Sequence, residues 1–183
     1  MRIENELPKI IPAATTLKQF EQALASPYEY LLLLEVHLSQ LMTMKREAKK
    51  HGKKLILHAD LIHGLKTDQF AADFLCHDIA PAGIISTRAN MILKAKQQRI
   101  LAIQRMFLID SIALDKSYHL IETTKPDYIE LLPGIIPSMI EEVQRNMGIP
   151  IITGGLIRTQ DQIEAAWQAG AVSITTSNKE LWL

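Results

Sequence analysis

One pattern runs the length of the chain and leaves few folds open to it. A short apolar run rich in Ile, Leu and Val is followed by a longer amphipathic stretch, and the pair repeats. The runs are Ile10–Ala14, Tyr30–Val36, Lys54–Asp60, Ala82–Thr87, Leu101–Gln104, Asp127–Leu132, Pro150–Gly154 and Ala171–Ser177. Their length and composition are those of strands. The stretches between them carry helical spacing. In Leu17–Ala25, positions Leu17, Phe20, Glu21 and Leu24 share a face, and all but Glu21 are apolar. Leu38–Lys50 carries Leu41 and Met44 on one side and basic residues toward its end, where cations suit the helix macrodipole. Further helices are expected over Asp68–His77, Ala89–Gln98, Leu114–Thr123, Pro137–Met147 and Thr159–Ala169, with a last turn at Asn178–Trp182. Gly52, Gly148 and Gly170 each precede an apolar run and read as helix stops. Thr159 with Gln162 has the pattern of a capping box.

Strands alternating with helices over short connections imply parallel strands and right-handed crossovers. Runs as continuously apolar as Leu31–Leu34 suit a sheet covered on both faces. About eight such units predict an α/β fold, a compact (β/α)8 TIM-like barrel, with helices trimmed to fit 183 residues. One domain over residues 1–183 is expected. An open doubly wound sheet is the structural alternative. Lys+Arg and Asp+Glu are both 20, so nothing suggests wholesale nucleic-acid binding and any such partner must meet a local patch. Cys76 is the single cysteine, which excludes an intrachain disulfide and points to a reducing, cytoplasmic setting. No apolar run approaches the ~18 residues of a membrane span. Met1–Pro8 lacks the apolar centre of a signal peptide.

In a barrel, functional groups gather at the C-terminal ends of strands. Those ends read Glu35 and His37; His58 and Asp60; Thr87 and Arg88; Gln104 and Arg105; Glu130; Thr153, Gly154 and Gly155; Thr175, Thr176 and Ser177. Alternation places Leu33, Glu35 and His37 on one face, Ile56, His58 and Asp60 on one face, and Tyr128 with Glu130, so the carboxylates are expected to point into the mouth. The alternative is a buried network in which they balance Arg88 and Arg105. Thr153-Gly154-Gly155 and Thr176-Ser177-Asn178 end the seventh and eighth strands, where barrels often bind phosphate through backbone amides and a short helix. Asn178 or Ser177 also suits an N-cap. His37, His58, His63 and Asp60 lack metal-binding spacing, so no metal is expected. Two basic stretches, Lys45, Arg46, Lys49, Lys50 and Lys53 (with Lys54), then Lys94, Lys96 and Arg99, are solvated helix faces or a surface for a phosphate backbone.

Several ordered strings resemble one family. They are His58-Ala-Asp-Leu-Ile-His-Gly-Leu65, Pro81–Arg88, Ala102–Asp110, Pro126–Pro137, Ile152–Arg158, Gly170–Asn178 and Leu181-Trp182. Together they resemble the glycerol-3-phosphate-responsive antiterminators of Gram-positive bacteria over about Ile10 to Trp182. The resemblance implies a (β/α) barrel and a regulator rather than an enzyme. Such proteins bind leader mRNA of glycerol-catabolism operons when glycerol 3-phosphate is present, with no cofactor, and let transcription pass a terminator. On that reading the phosphate is expected on Gly154, Gly155, Thr176, Ser177 and the last short helix. Asp60 and Glu130 are expected to grip the hydroxyls, with Glu35, Arg105 and Gln104 in support, and ligand is expected to order His63–Asp68. A homodimer is a further expectation. The alternative is a barrel isomerase, lyase or aldolase using Asp60 and Glu130 as acid and base, with Arg88 or Arg105 as electrophile.

Overall fold

The computed structural model describes residues 6–182. Of the Met1–Pro8 stretch read above, residues 1–5 lie outside the described part. Eight parallel strands close a barrel: β1 (Ile10–Ala14), β2 (Tyr30–Leu33), β3 (Lys54–His58), β4 (Gly83–Ser86), β5 (Leu101–Phe107), β6 (Tyr128–Leu132), β7 (Ile151–Gly154) and β8 (Ala171–Thr176). Neighbours follow chain order, and β1 closes on β8 with Ile10 opposite Ile174. The helices are α1 (Leu17–Leu24), α2 (Leu38–Lys50), α3 (Gln69–Phe74), α4 (Ala89–Gln97), α5 (Ser111–Thr124), α6 (Pro137–Met147) and α7 (Gln160–Gln168). The closed barrel removes the edge strands of the doubly wound alternative.

Both faces of the sheet are buried, which is why the strands are apolar without a break. Inside, Ile11, Leu32, Ile56, Ile85, Ile103 and Ile152 pack together, with Leu7 and Tyr30 in the same cluster. Outside, one cluster joins β1–β4 to α1–α4, and a second joins β5–β8 to α5–α7. The glycine stops behave as local chemistry dictates. After α2, the Gly52 amide donates to Lys49 O (3.1 Å) and the Lys53 amide to Ala48 O (2.9 Å), the paired bonds of a Schellman end. Gly52 takes φ +67, open to glycine at little cost. At α7, Thr159 Oγ1 accepts from the Gln162 amide and the Gln162 side chain closes the box. Thr159→Ala is expected to cost about 1 kcal/mol in urea denaturation, because the Gln162 amide in the first turn loses its partner.

Several boundaries differ from the sequence pattern, among them a fifth strand that runs on to Phe107 and a third helix that passes at Leu75–Ile79 into a π turn. β2 ends at Leu33; the chain then turns outward and Val36-His37 pairs with Ile62-His63 as a separate two-stranded ladder. Leu31, Leu33 and Val36 therefore pack on the helices and Leu32 faces inward, the reverse of the expected phase at Leu32 and Leu33. β3 ends at His58, and Ala59–Leu61 forms a 3-10 turn. α5 begins at Ser111, since Asp110 Oδ1 accepts from the Ala113 amide (2.8 Å) and caps it there. The expected last helix is a 3-10 turn over Lys179–Leu181.

Candidate functional site

The C-terminal ends of β7 and β8 meet, with Gly154 opposite Thr175. A cavity of about 280 Å³ opens there. Arg105, Glu130 and Thr175 line its depth, Gly155, Leu156, Thr176, Ser177 and Asn178 line one side, and Glu35 and Leu61 lie opposite. The approach of the two strands depends on Gly154, because a side chain there would run into Thr175. Gly155 and Leu156 both hold positive φ (+68 and +60). A leucine in that region is strained, and such strain gathers where a loop is shaped for a task.

The charged centre of the cavity is a salt bridge. Arg105 Nε donates to Glu130 Oε2 at 2.6 Å, and Thr175 Oγ1 donates to Glu130 Oε1 at 3.2 Å. Glu130 is fully buried, and the Arg105 side chain is 9 % exposed. The pair is neutral as a unit, so attraction for an anion in this cavity must come chiefly from backbone dipoles and the rim. Beneath it, His58 faces inward with neither ring nitrogen hydrogen-bonded. Burial and then the Arg105 guanidinium push its pKa down to about 4, against the pull of Asp60, so the imidazole is neutral near pH 7.

Seven of the expected ligand residues line the cavity: Glu35, Arg105, Glu130, Gly155, Thr176, Ser177 and Asn178. Five do not, and each has a visible reason. Asp60 accepts from Ser86 Oγ, from the Thr87 amide (2.7 Å) and from Thr87 Oγ1 (2.8 Å), so it braces the turn into α4. Arg88 stands exposed at the start of α4, its amide donated to Ser86 Oγ (3.0 Å). Gln104 alternates with inward Arg105 and so points to the helices, where it donates to Ser86 O (3.0 Å) and meets Thr124 (3.4 Å). Thr153 faces the same way and donates to Leu131 O (2.6 Å). Gly154 serves the strand contact rather than the lining. Glu35 reaches the rim from outside the barrel wall and pairs with His63 at 3.5 Å. The last 3-10 turn is capped by Asn178 Oδ1, which accepts from the Glu180 amide (3.1 Å). Sequence reasoning missed Leu61, Leu156 and Thr175 as lining residues; Thr175 was legible from its place at a strand end.

The basic stretches prove partly occupied. Lys53 donates to the carbonyls of Ser26 and Tyr28 (2.7 Å to the latter), Lys94 pairs with Asp73, and Lys96 with Asp127 (3.0 Å). Lys45 reaches Asp78 O (3.3 Å), Arg46 lies beside Thr43 (3.4 Å), and Lys50 pairs with Glu47 (2.7 Å). Most of the eight cations expected as a surface for a phosphate backbone thus have partners within the protein; Lys49 and Arg99 stand exposed. The ends of α2 and α4 sit at the N-terminal rim of the barrel, as contacts to the residues before β2 and β6 attest. The cavity lies at the other rim, about 16 Å away along a five-residue strand. A shallower depression of about 430 Å³ lies outside the barrel between α1 and α2, sharing Glu35 with the mouth. Among the described residues, no cluster of three His, Cys, Asp or Glu is placed to hold a metal, and no helix is long and apolar enough to cross a membrane.

Residues 10–182 match the family described as glycerol-3-phosphate responsive antiterminator. The chain belongs to that family. It is similar to the crystal structure of a glycerol uptake operon antiterminator regulatory protein from Listeria monocytogenes. The identity is 49 %, the TM-score 0.93, and the match covers 100 % of this chain and 97 % of that one. A glycerol uptake operon antiterminator-related protein from Thermotoga maritima matches at 25 % identity and TM-score 0.83, over 96 % of this chain and 98 % of that one. An uncharacterized protein of Escherichia coli, YgcP, is 28 % identical over 173 residues, 94 % of this chain and 91 % of its own. The family name agrees with the strings singled out in the sequence, and the barrel with the strand–helix repeat.

Proposed function

We propose that this antiterminator family member senses glycerol 3-phosphate in the mouth cavity and, when loaded, binds leader mRNA of a glycerol-uptake operon so that transcription passes the terminator. The observation that carries the reading is the cavity itself. It sits where β7 and β8 end, with Gly155 and Ser177 on one side and the Arg105–Glu130 pair at its depth. Backbone amides suit a phosphate, and the polar pair suits alcohol groups. A regulatory role also fits the carboxylates. Glu130 is held by Arg105 and Thr175 and Asp60 by Ser86 and Thr87, so neither is free as an acid or base. The RNA is assigned a surface away from the mouth, with Lys49 and Arg99 as free cations at the opposite rim. Ligand must then favour one of two barrel states that differ in RNA affinity.

The test pairs two measurements. Gel-shift titration of leader RNA is expected to show binding that requires glycerol 3-phosphate and weakens steeply with salt. In isothermal titration, Ser177→Asp is expected to weaken glycerol 3-phosphate at least about tenfold, since a carboxylate then faces a dianion. Unchanged affinity in that variant removes the pocket assignment. RNA binding indifferent to the ligand removes the sensor.

A further inference from the structure

Buried polar groups in a folded protein find partners, so one that has none asks for an explanation. Among the described residues, His58 is such a group on the inner face of the barrel. It ends β3 in phase with Ile56, a member of the interior cluster, and is 3 % exposed. Neither Nδ1 nor Nε2 has a hydrogen-bond partner. The remaining unpartnered atoms lie elsewhere: Asp73 has Lys94 beside it, Gln160 opens α7, and Trp167 belongs to the outer layer under Lys9. The His58 imidazole is close enough to feel the Arg105 guanidinium, which lines the mouth.

We infer that His58 reads the alcohol end of the ligand, which enters with its phosphate toward Gly155 and Ser177 and a hydroxyl toward the imidazole. This rests on the reading of the cavity as a site for a small phosphate ester. The chemistry selects a hydroxyl. A neutral imidazole offers one N–H and one lone pair, and a hydroxyl can both give and take a hydrogen bond. An ionised phosphate only accepts, and would leave the lone pair unmet. Arg105 keeps N–H donors beyond the one given to Glu130, but a guanidinium cannot accept, so it does not replace His58 in that double role. His58 does not line the cavity as it stands, whereas Arg105, Leu34 and Leu61 do. The alcohol end therefore passes one side-chain layer below the present floor. Leu61 sits on the 3-10 turn just after His58 and is partly exposed, so it can move aside with no strand bond broken.

The experiment uses the full chain and three probes: sn-glycerol 3-phosphate, n-propyl phosphate, which lacks both hydroxyls, and inorganic phosphate. Titration calorimetry of the wild type is expected to favour glycerol 3-phosphate over propyl phosphate by about tenfold or more, because a site built to pair with a hydroxyl rejects the analogue without it. In His58→Leu the preference is expected to fall below about twofold through loss of glycerol 3-phosphate affinity, with propyl phosphate unchanged. His58→Gln keeps a donor and an acceptor and should retain part of the preference. The wild type gives a readout that needs no variant: the ring-nitrogen NMR signals of His58 should move with glycerol 3-phosphate and stay still with propyl phosphate. Full discrimination in His58→Leu overturns the inference while leaving the cavity reading intact. So do ring signals unmoved by bound glycerol 3-phosphate, which also decide the matter should His58→Leu not fold. Failure of the wild type to bind any of the three probes overturns both.

Discussion

Arg105→Ala is expected to lower stability by about 3–5 kcal/mol, measured by urea denaturation with the slope unchanged. The reason is what it leaves behind. Glu130 is fully buried, and its Oε2 takes the Arg105 Nε–H at 2.6 Å. Without the guanidinium, its remaining side-chain partner is the Thr175 hydroxyl at 3.2 Å. A buried carboxylate with one neutral donor carries most of its desolvation cost uncompensated. The same logic predicts the control. Removing both charges, as in Arg105→Met with Glu130→Leu, is expected to restore most of the lost stability, because apolar side chains of similar volume often replace a buried pair without penalty. Ligand affinity should stay lost in the double variant, since the polar depth of the cavity is gone. Stability and binding thus separate. A loss below about 1 kcal/mol in Arg105→Ala would mean that water reaches Glu130 freely.

The barrel was legible in the sequence because each strand is buried on both faces, which makes it a continuous apolar run bounded by turns. That same continuity hid the phase of β2. In Leu31–Leu34 no polar residue marks a face, so counting back from Glu35 gave the wrong one. The chain leaves the barrel just after Leu34, whose amide still bonds Ala14 O (2.9 Å), to pair Val36-His37 with Ile62-His63. At β5 the signal was present. Gln104 and Arg105 are adjacent, so both cannot face the mouth, and the charged one paired with Glu130 takes the inside. Asp60 shows what no local pattern carries: its partners Ser86 and Thr87 lie 26 and 27 residues away. The lysines fail in the same way. A helix face dense in cations looks free until Asp73 and Asp127 arrive from other elements. In the Gly154-Gly155 pair, where the sequence pattern suggests a phosphate loop, the two members divide the structural work. Gly154 brings strands together, and Gly155 turns the chain.

That division makes Gly154→Ala the second large effect. An added Cβ would lie well inside contact distance of Thr175 Oγ1 and 2.6 Å from the Thr175 carbonyl oxygen. The hydroxyl could rotate away; the carbonyl cannot, because Thr175 is the β8 residue in register with Gly154. The strands must part at the mouth, at an expected cost of about 1–3 kcal/mol or more. The shift also pulls Thr175 from Glu130, so the cavity should lose its shape together with its stability. Gly148→Ala separates this clash from ordinary glycine effects. Nothing lies within 4 Å of its new Cβ, and only the φ of +63 resists it, which predicts a loss of about 1 kcal/mol. Paired denaturation and ligand titration check both variants. Gly148→Ala should bind glycerol 3-phosphate as the wild type does, whereas Gly154→Ala, assayed where it remains folded, should lose binding about tenfold or more. Equal affinities would mean that the β7–β8 junction does not shape the site.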